Sequence, residues 1–295
     1  MEISQLEAFV AVAKSSSFSK ASDSLHLSQP AISRRIALLE HSLKSNLFER
    51  TPSGILLSDA GKLFLPYAMR VMSSIHDGRE ALRTNEEAET GTINIALVGT
   101  LANTELSQKL KIFKQQHPKV VVKLQTALSH EVSELVAAGE AHIGLRYFSE
   151  PGNEITSHPL SQEQMITVCS ADSKLLDTDR FQLEMLQKYK FLCFAKSRKK
   201  TKNSFYQLTQ KLLIRADLDQ IELMPVDSLS AQKRLTEADF GVALLPLSSV
   251  EEEIKLGSLR ILEHPLLETL IDINLIHRKS LHMNSVLESF IEALK

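Results

Sequence analysis

Ile3, Leu6, Phe9, Val10 and Ala13 recur at the three- and four-residue spacing of a helix buried along one side. The polar run KSSSFS breaks that period, and SKASDSLHLS resumes it as a short second helix with Ala21 and Leu25 facing inward. A third helix starts at Ser28. Its hydroxyl suits an N-cap, Pro30 is tolerated in a first turn where its missing N–H has no partner to lose, and Ile32, Ile36, Leu39 and Leu43 form one apolar stripe. Arg34 lies roughly 200° around the axis from Ile32, with Arg35 beside it, while Gln29, Pro30 and Ser33 occupy the exposed N-terminal end. Such an end fits the major groove of DNA, because Gln pairs with adenine, Arg with guanine or phosphate, and N-terminal N–H groups attract phosphate. On these residues alone, an ordinary surface helix with solvated arginines is the alternative.

The next stretch, TPSGILLSDAG, has a Pro-Ser-Gly turn signal followed by an apolar run, which predicts a β-hairpin wing, and Ser58 then caps a fourth helix. In that helix Ala60, Phe64, Tyr67, Val71, Ile75, Gly78 and Leu82 repeat at spacings of four and three up to about Arg83. So regular a stripe calls for a partner helix, most simply its own copy in a dimer. Pro66 inside it predicts a kink or local break.

TNEEAETG is polar and acidic, and after it the pattern changes. TINIALV, KVVVKLQT, HIGLRY, QMITVCS, KFLCFA, GVALLP and LIDINLIHR read as strands. Between them lie helical patterns near residues 103–116, 131–138, 205–214 and 231–238, and an amphipathic helix with Val286, Leu287, Phe290, Ile291 and Leu294 closes the chain. Alternating β and α predicts a parallel sheet covered by helices on both faces.

Composition narrows the functional classes. The chain has 295 residues, 43% of them apolar, enough for two or three domains with a sizeable core. With 34 basic and 36 acidic residues it lacks the basic surplus common in nucleic-acid binders, so a DNA-binding role rests on local pattern. Cys169 and Cys193, both in apolar runs, read as buried strand residues and not as a disulfide framework or zinc site. The amphipathic start carries acids at Glu2 and Glu7 instead of a basic leader, and no apolar run reaches membrane-spanning length, so a cytoplasmic chain without membrane partners is expected. No P-loop, G-x-G-x-x-G, G-x-S-x-G or H-E-x-x-H occurs, and the ten histidines lack metal-ligand spacing; no enzyme activity, cofactor or metal is expected.

The block FVAVAKSSSFSKASDSLHLSQPAISRRIALLEHSLKSNLFER, followed by LLSDAG, resembles the LysR-type transcriptional regulators over about the first 65 residues. The resemblance implies an all-α winged helix-turn-helix head (1–58), a long linker and dimerisation helix (59–90), and an α/β, two-lobed, periplasmic-binding-protein-like effector domain (91–295). Lobe I would take about 92–161 and 267–295, lobe II about 162–266. It also implies a sequence-specific regulator of promoters with paired half-sites, modulated by a small-molecule effector and assembled as a tetramer of two dimers, with RNA polymerase a candidate partner. This chain departs from the family pattern at Ser22, where a second alanine is usual, at Lys44 for glycine, at Ser53 for a basic wing residue, at Ser58 for threonine and at His142 for aspartate. Arg50 and Thr51 are then the better wing contacts. A small-molecule-binding protein or enzyme built on the same two lobes, without specific DNA recognition, is the second reading.

The effector residues are placed by chemistry. VGTLAN ends a strand and opens a helix, so Thr100, the N–H groups from Leu101 onward and the helix N-terminus suit a carboxylate or other organic anion. LSHE repeats the arrangement at Ser129, and Arg146 and Tyr147 stand just past a strand end. The resemblance adds Ser204 and Phe205 in KNSF, and Val226 and Asp227 after ELMPV. Helix capping is the plainer role for each hydroxyl taken singly. The basic run KSRKKTK is either a solvated loop or an anion-attracting rim of the cleft.

Overall fold

A computed structural model describes residues 1–51, 54–81, 90–102, 104–149, 154–176, 181–196 and 204–295. Helices α1 (Ile3–Ser15), α2 (Phe18–Leu25) and α3 (Gln29–Leu43) bury Leu6, Phe9, Val12, Ala21, Ile32, Ile36 and Leu39 against one another, as their spacing predicts. Ser17 and Ser28 cap α2 and α3, accepting from the N–H groups of Lys20 and Ala31. Strands β1 (Phe48–Thr51) and β2 (Gly54–Leu57) pair antiparallel as the wing. The Glu40 carboxylate ties the wing to α3 by accepting from the N–H groups of Leu47 at 2.7 Å and Phe48 at 3.2 Å.

The departures from the family pattern have local physical readings. Ser22 is buried but donates its hydroxyl proton to the Ser19 carbonyl, so it fits where alanine is usual. Ser58 donates to the Asn46 carbonyl and accepts from the Gly61 N–H, work any hydroxyl does. Lys44 ends α3 with φ +52°, in the left-handed region, and its N–H and that of Ser45 return to the carbonyls of His41 and Glu40. This Schellman closure favours glycine, so lysine carries backbone strain here.

Helix α4 (Asp59–Ala81) runs unbroken through Pro66, so the expected break is absent. Its apolar stripe is two stripes. Ala60, Phe64 and Ala68 pack into the head, Phe64 against Phe9 with ring centroids 5.5 Å apart, whereas Leu63, Tyr67 and Val71 point to solvent. The periodicity joined the two because neighbouring faces of one helix share residues at either spacing. Leu82 and Arg83 fall outside the described residues.

The α/β part holds β3 (Gly91–Val98), β4 (Val120–Ala127), β5 (Ile143–Tyr147), β6 (Ile155–Ser170), β7 (Phe191–Cys193), β8 (Leu223–Pro225), β9 (Val242–Pro246), β10 (Leu259–Ile261) and β11 (Glu268–Arg278). Helices α5 (Thr104–Gln116), α6 (Ser129–Ala138), α7 (Phe205–Arg215), α8 (Leu229–Glu237), α9 (Leu247–Leu256) and α10 (Ser285–Leu294) complete it. The hydrogen-bonded order is β4-β3-β5-β11-β6-β9-β7-β8, with β10 added to β6.

The sheet is mixed, which corrects the wholly parallel one expected. β4, β3 and β5 are parallel in one lobe and β9, β7 and β8 in the other, but β6 and β11 run antiparallel to each other and to their neighbours. These two long strands are the crossovers between lobes, and their register shifts at Ile273/Asn274. A strand that leaves a lobe and one that returns to it through the same seam must run in opposite directions. Helix α9 and strands β8 and β10 lie outside the expected elements. Cys169 and Cys193 are buried in β6 and β7, and burial pushes both thiols up to about 11, which keeps them protonated and unreactive.

The linker helix leans on the first lobe. Asp77 of α4 pairs with the buried Arg278 at 3.0 Å and Arg70 of α4 with Glu154, while Lys14 of α1 adds a contact from the head to Glu140 at 3.0 Å. Gly139 ends α6 at φ +77°, where a Cβ would run into Ser73 of α4.

Candidate functional sites

The head exposes the N-terminal end of α3. Ser28, Gln29, Pro30 and Arg34 are exposed at the start of α3 and Ser33 is half-buried, while Ile32 and Ile36 hold the opposite face in the core. Arg35 points elsewhere, its guanidinium 3.4 Å from the Ser4 carbonyl and 3.9 Å from Glu7 of α1, so it braces α3 on α1 and does not join that end. Arg50 and Thr51 lie on β1 at the tip of the wing. Ser53 falls outside the described residues.

A cleft of about 840 Å³ opens in the α/β part. Its lining includes Thr100, Ser129, Arg146, Ser204, Phe205 and Asp227 from among the residues singled out in the sequence. Two others turn away. The Leu101 side chain is buried in the core, about 120° around the 3-10 turn Gly99–Leu101 from that of Thr100, so its expected part through the N–H does not involve the side chain. Val226 packs under the second lobe, with its N–H donating to Cys193 and its carbonyl accepting from Gln232.

Three helix N-termini converge on this cleft: α6 at Ser129, α7 at Ser204–Tyr206 and α8 at Ser228–Ser230. Ser204 and Ser228 accept from the N–H groups of Gln207 and Ala231, so their capping role coexists with lining the cleft. Each N-terminus carries partial positive charge, and together they favour an anion. Arg146, only 4% exposed, adds a full positive charge and is held by the Tyr147 carbonyl and Ser133 hydroxyl. Thr100 Oγ1 and the Tyr147 hydroxyl are buried next to each other, and neither makes a hydrogen bond of good geometry. Burial raises the Tyr147 pKa; the neighbouring Thr100 hydroxyl works against that rise, and the Glu163 charge adds to it.

One wall of the cleft is aromatic. Phe205 lies 4.9 Å from Tyr147, 5.9 Å from Phe148 and 5.1 Å from Phe194, measured between ring centroids. Phe148 adopts φ +61°, an outlier for a bulky residue, and its N–H is anchored on the Asp272 carbonyl. Sequence reasoning missed Phe148 and Phe194, since each follows a strand and nothing local marks a left-handed phenylalanine. Lys196, the first residue of the basic run, also lines the cleft, whereas residues 197–202 fall outside the described ones.

Behind the cleft, Glu163 of β6 accepts from the N–H and hydroxyl of Ser248 at the start of α9, and Ser249 donates to the Thr100 carbonyl at 3.4 Å. The loop that carries Thr100 is therefore tied directly to the second lobe.

Residues 3–62 match the family described as "Bacterial regulatory helix-turn-helix protein, lysR family", and residues 86–295 match "LysR substrate binding domain". The HTH-type transcriptional regulator CitR of Bacillus subtilis is 27% identical over 257 residues, covering 86% of this chain and 85% of that one. A probable RuBisCO transcriptional regulator of Gracilaria tenuistipitata is 29% identical over 266 residues, 87% of this chain and 84% of its own. Among solved structures, a full-length OxyR variant from Pseudomonas aeruginosa aligns with TM-score 0.79 at 17% identity, covering 100% of this chain and 94% of that one. Full-length CbnR complexed with its target DNA aligns with TM-score 0.68 at 24% identity, over 100% and 99%. At these identities the structural likeness speaks for the fold.

Proposed function

Because the chain belongs to the LysR family of transcriptional regulators, with a helix-turn-helix head joined to an effector-binding domain, we propose that its cleft binds an organic anion with a flat apolar body and that this occupancy governs how two heads address paired half-sites on DNA. The observation that carries the ligand class is the meeting of three helix N-termini and Arg146 beside the Phe148, Phe194 and Phe205 wall, with the poorly satisfied Thr100 hydroxyl behind them. A carboxylate satisfies the polar end and an unsaturated or ring-bearing body the other.

On the DNA side, Gln29 and Arg34 read base edges from the N-terminal end of α3. Ser28, Pro30 and Ser33 approach the backbone, with Arg50, Thr51 and Ser53 contributing from the wing, and phosphate contacts make affinity fall with salt. The exposed stripe Leu63, Tyr67 and Val71 pairs two linker helices, and two such dimers form the tetramer. We take 1–58, 59–90 and 91–295 as the functional units. The chain regulates rather than catalyses, and works in the cytoplasm, where its DNA is; no described helix is long and apolar enough to cross a membrane.

The test is selection and sequencing of host genomic fragments by the purified protein at near-physiological salt, beside a Gln29→Ala, Arg34→Ala double variant. Enrichment of intergenic fragments with paired half-sites by the native protein alone supports the reading, and the genes beside them name the acids to titrate. Equal enrichment by the double variant removes α3 as the reader.

A further inference from the structure

A second cavity, of about 320 Å³, lies where the linker helix meets the first lobe. Its walls come from parts of the chain far apart in sequence: His76 and Asp77 of α4, the start of β3, Lys123 of β4, His142 ahead of β5, and His282 with the first turn of α10. Three of the ten histidines thus meet in one crevice. It shares no lining residue with the effector cleft.

The charge of the crevice is one-sided. Asp77 is the one carboxylate among its lining residues, and Arg278 already neutralises it at 3.0 Å, the two side chains being 11% and 4% exposed. An occupant therefore meets the Lys123 ammonium, three imidazoles and the N-terminus of α10, where Asn284 accepts from the Leu287 N–H. The imidazoles are not arranged for a metal. The rings of His76 and His142 lie within 23° of parallel with centroids 6.4 Å apart, and His142 Nδ1 accepts the Asn94 N–H at 3.0 Å. Among the described residues, no group of His, Cys, Asp and Glu is placed to hold a metal ion. Val120, Ile93, Val286 and Leu287 give the crevice an apolar floor and limit what fits to a compact ligand.

We propose that this crevice is a second ligand site, one that takes a small oxyanion, either phosphate or a compact carboxylate. An ion held by Lys123 and His142 of the lobe and His76 of α4 bridges the two bodies and fixes the angle between linker helix and effector domain. It acts in series with the cleft and independently of what the cleft binds.

The experiment titrates the full-length protein calorimetrically with inorganic phosphate and, separately, with malonate, in a buffer free of both. Native protein is compared with Lys123→Glu, His142→Asp and Thr100→Val. Lys123 is exposed, so reversing its charge leaves the fold intact. The expected result is that at least one anion binds native and Thr100→Val protein equally and binds Lys123→Glu and His142→Asp about tenfold or more weakly, a loss of about 1.4 kcal/mol; which anion binds distinguishes phosphate from carboxylate. Binding of neither anion overturns the proposal. So does equal binding to all four proteins, or a loss confined to Thr100→Val, which assigns the ion to the cleft.

Discussion

Thr100 offers a test in which stability and binding move in opposite directions. Its Oγ1 is buried in the free protein beside the Tyr147 hydroxyl, with no hydrogen bond of good geometry, and the residue is 6% exposed. Valine has nearly the same shape and carries a methyl group in place of the hydroxyl. A buried, unpaired hydroxyl costs about 1–3 kcal/mol. The Tyr147 hydroxyl is left beside the new methyl group, so we take the low end and expect Thr100→Val to stabilise the free chain by about 1 kcal/mol, or roughly 3 °C in Tm for a domain of this size. Under the proposed function the same hydroxyl contributes to holding an anionic ligand. A hydrogen bond to a charged group contributes about 1.5–3 kcal/mol, so the variant should bind the effector roughly 10- to 150-fold more weakly. Thermal unfolding of ligand-free native and variant protein measures the first effect. Calorimetric titration with the acid identified by the neighbouring genes measures the second. A variant that melts several degrees lower shows that the hydroxyl is satisfied in the free state, and the argument that it waits for a ligand then collapses.

Three further outcomes follow from the same structure. Lys44→Gly relieves the left-handed strain at the end of α3 and should raise stability by about 0.5–1 kcal/mol in a denaturant titration, with DNA affinity unchanged; a loss of stability refutes the strain. Tyr67→Glu, on the exposed stripe of α4, should shift the chain toward monomer in analytical ultracentrifugation, whereas Arg79→Glu, exposed on the same helix about 120° around the axis from Tyr67, serves as the control; identical profiles remove this stripe from the interface. Glu163 has its pKa raised by burial, opposed by its hydrogen bonds from Ser248. A carboxyl raised in the folded state favours the protonated native form. Its contribution is therefore fully present below the unfolded value of about 4.3 and is lost as pH rises through the folded value. Native protein should lose stability relative to Glu163→Gln as pH climbs from about 4 toward neutrality, and a constant difference across that range would count against it.

Much of the head was legible because its structure is local. The period of Ile32, Ile36 and Leu39, the cap at Ser28 and the exposed Gln29 and Arg34 depend on residues a few positions apart, and a helix displays the same faces wherever it packs. The alternation of strands and helices after Gly91 was legible for the same reason, and so was the placing of Thr100, Ser129 and Ser204 at strand ends or helix starts. What depended on partners distant in the chain was not. Periodicity registered that α4 is apolar but not that Phe64 faces Phe9 while Tyr67 faces solvent. The runs forming β6 and β11 look like any strand, and their antiparallel pairing follows from the chain crossing between lobes twice.

Tertiary structure alone turned Arg35 onto α1, drew Leu101 and Val226 out of the cleft, and set Phe148 in a left-handed conformation opposite Phe205. It alone brought His76, His142 and His282 to one crevice. The sequence by itself determined which surfaces each element has to bury and which ends it offers to DNA or ligand, since those follow from side-chain period and backbone polarity. Which of those surfaces meet is decided only when distant segments compete for the same apolar area, and the direction of a single side chain is settled by that competition.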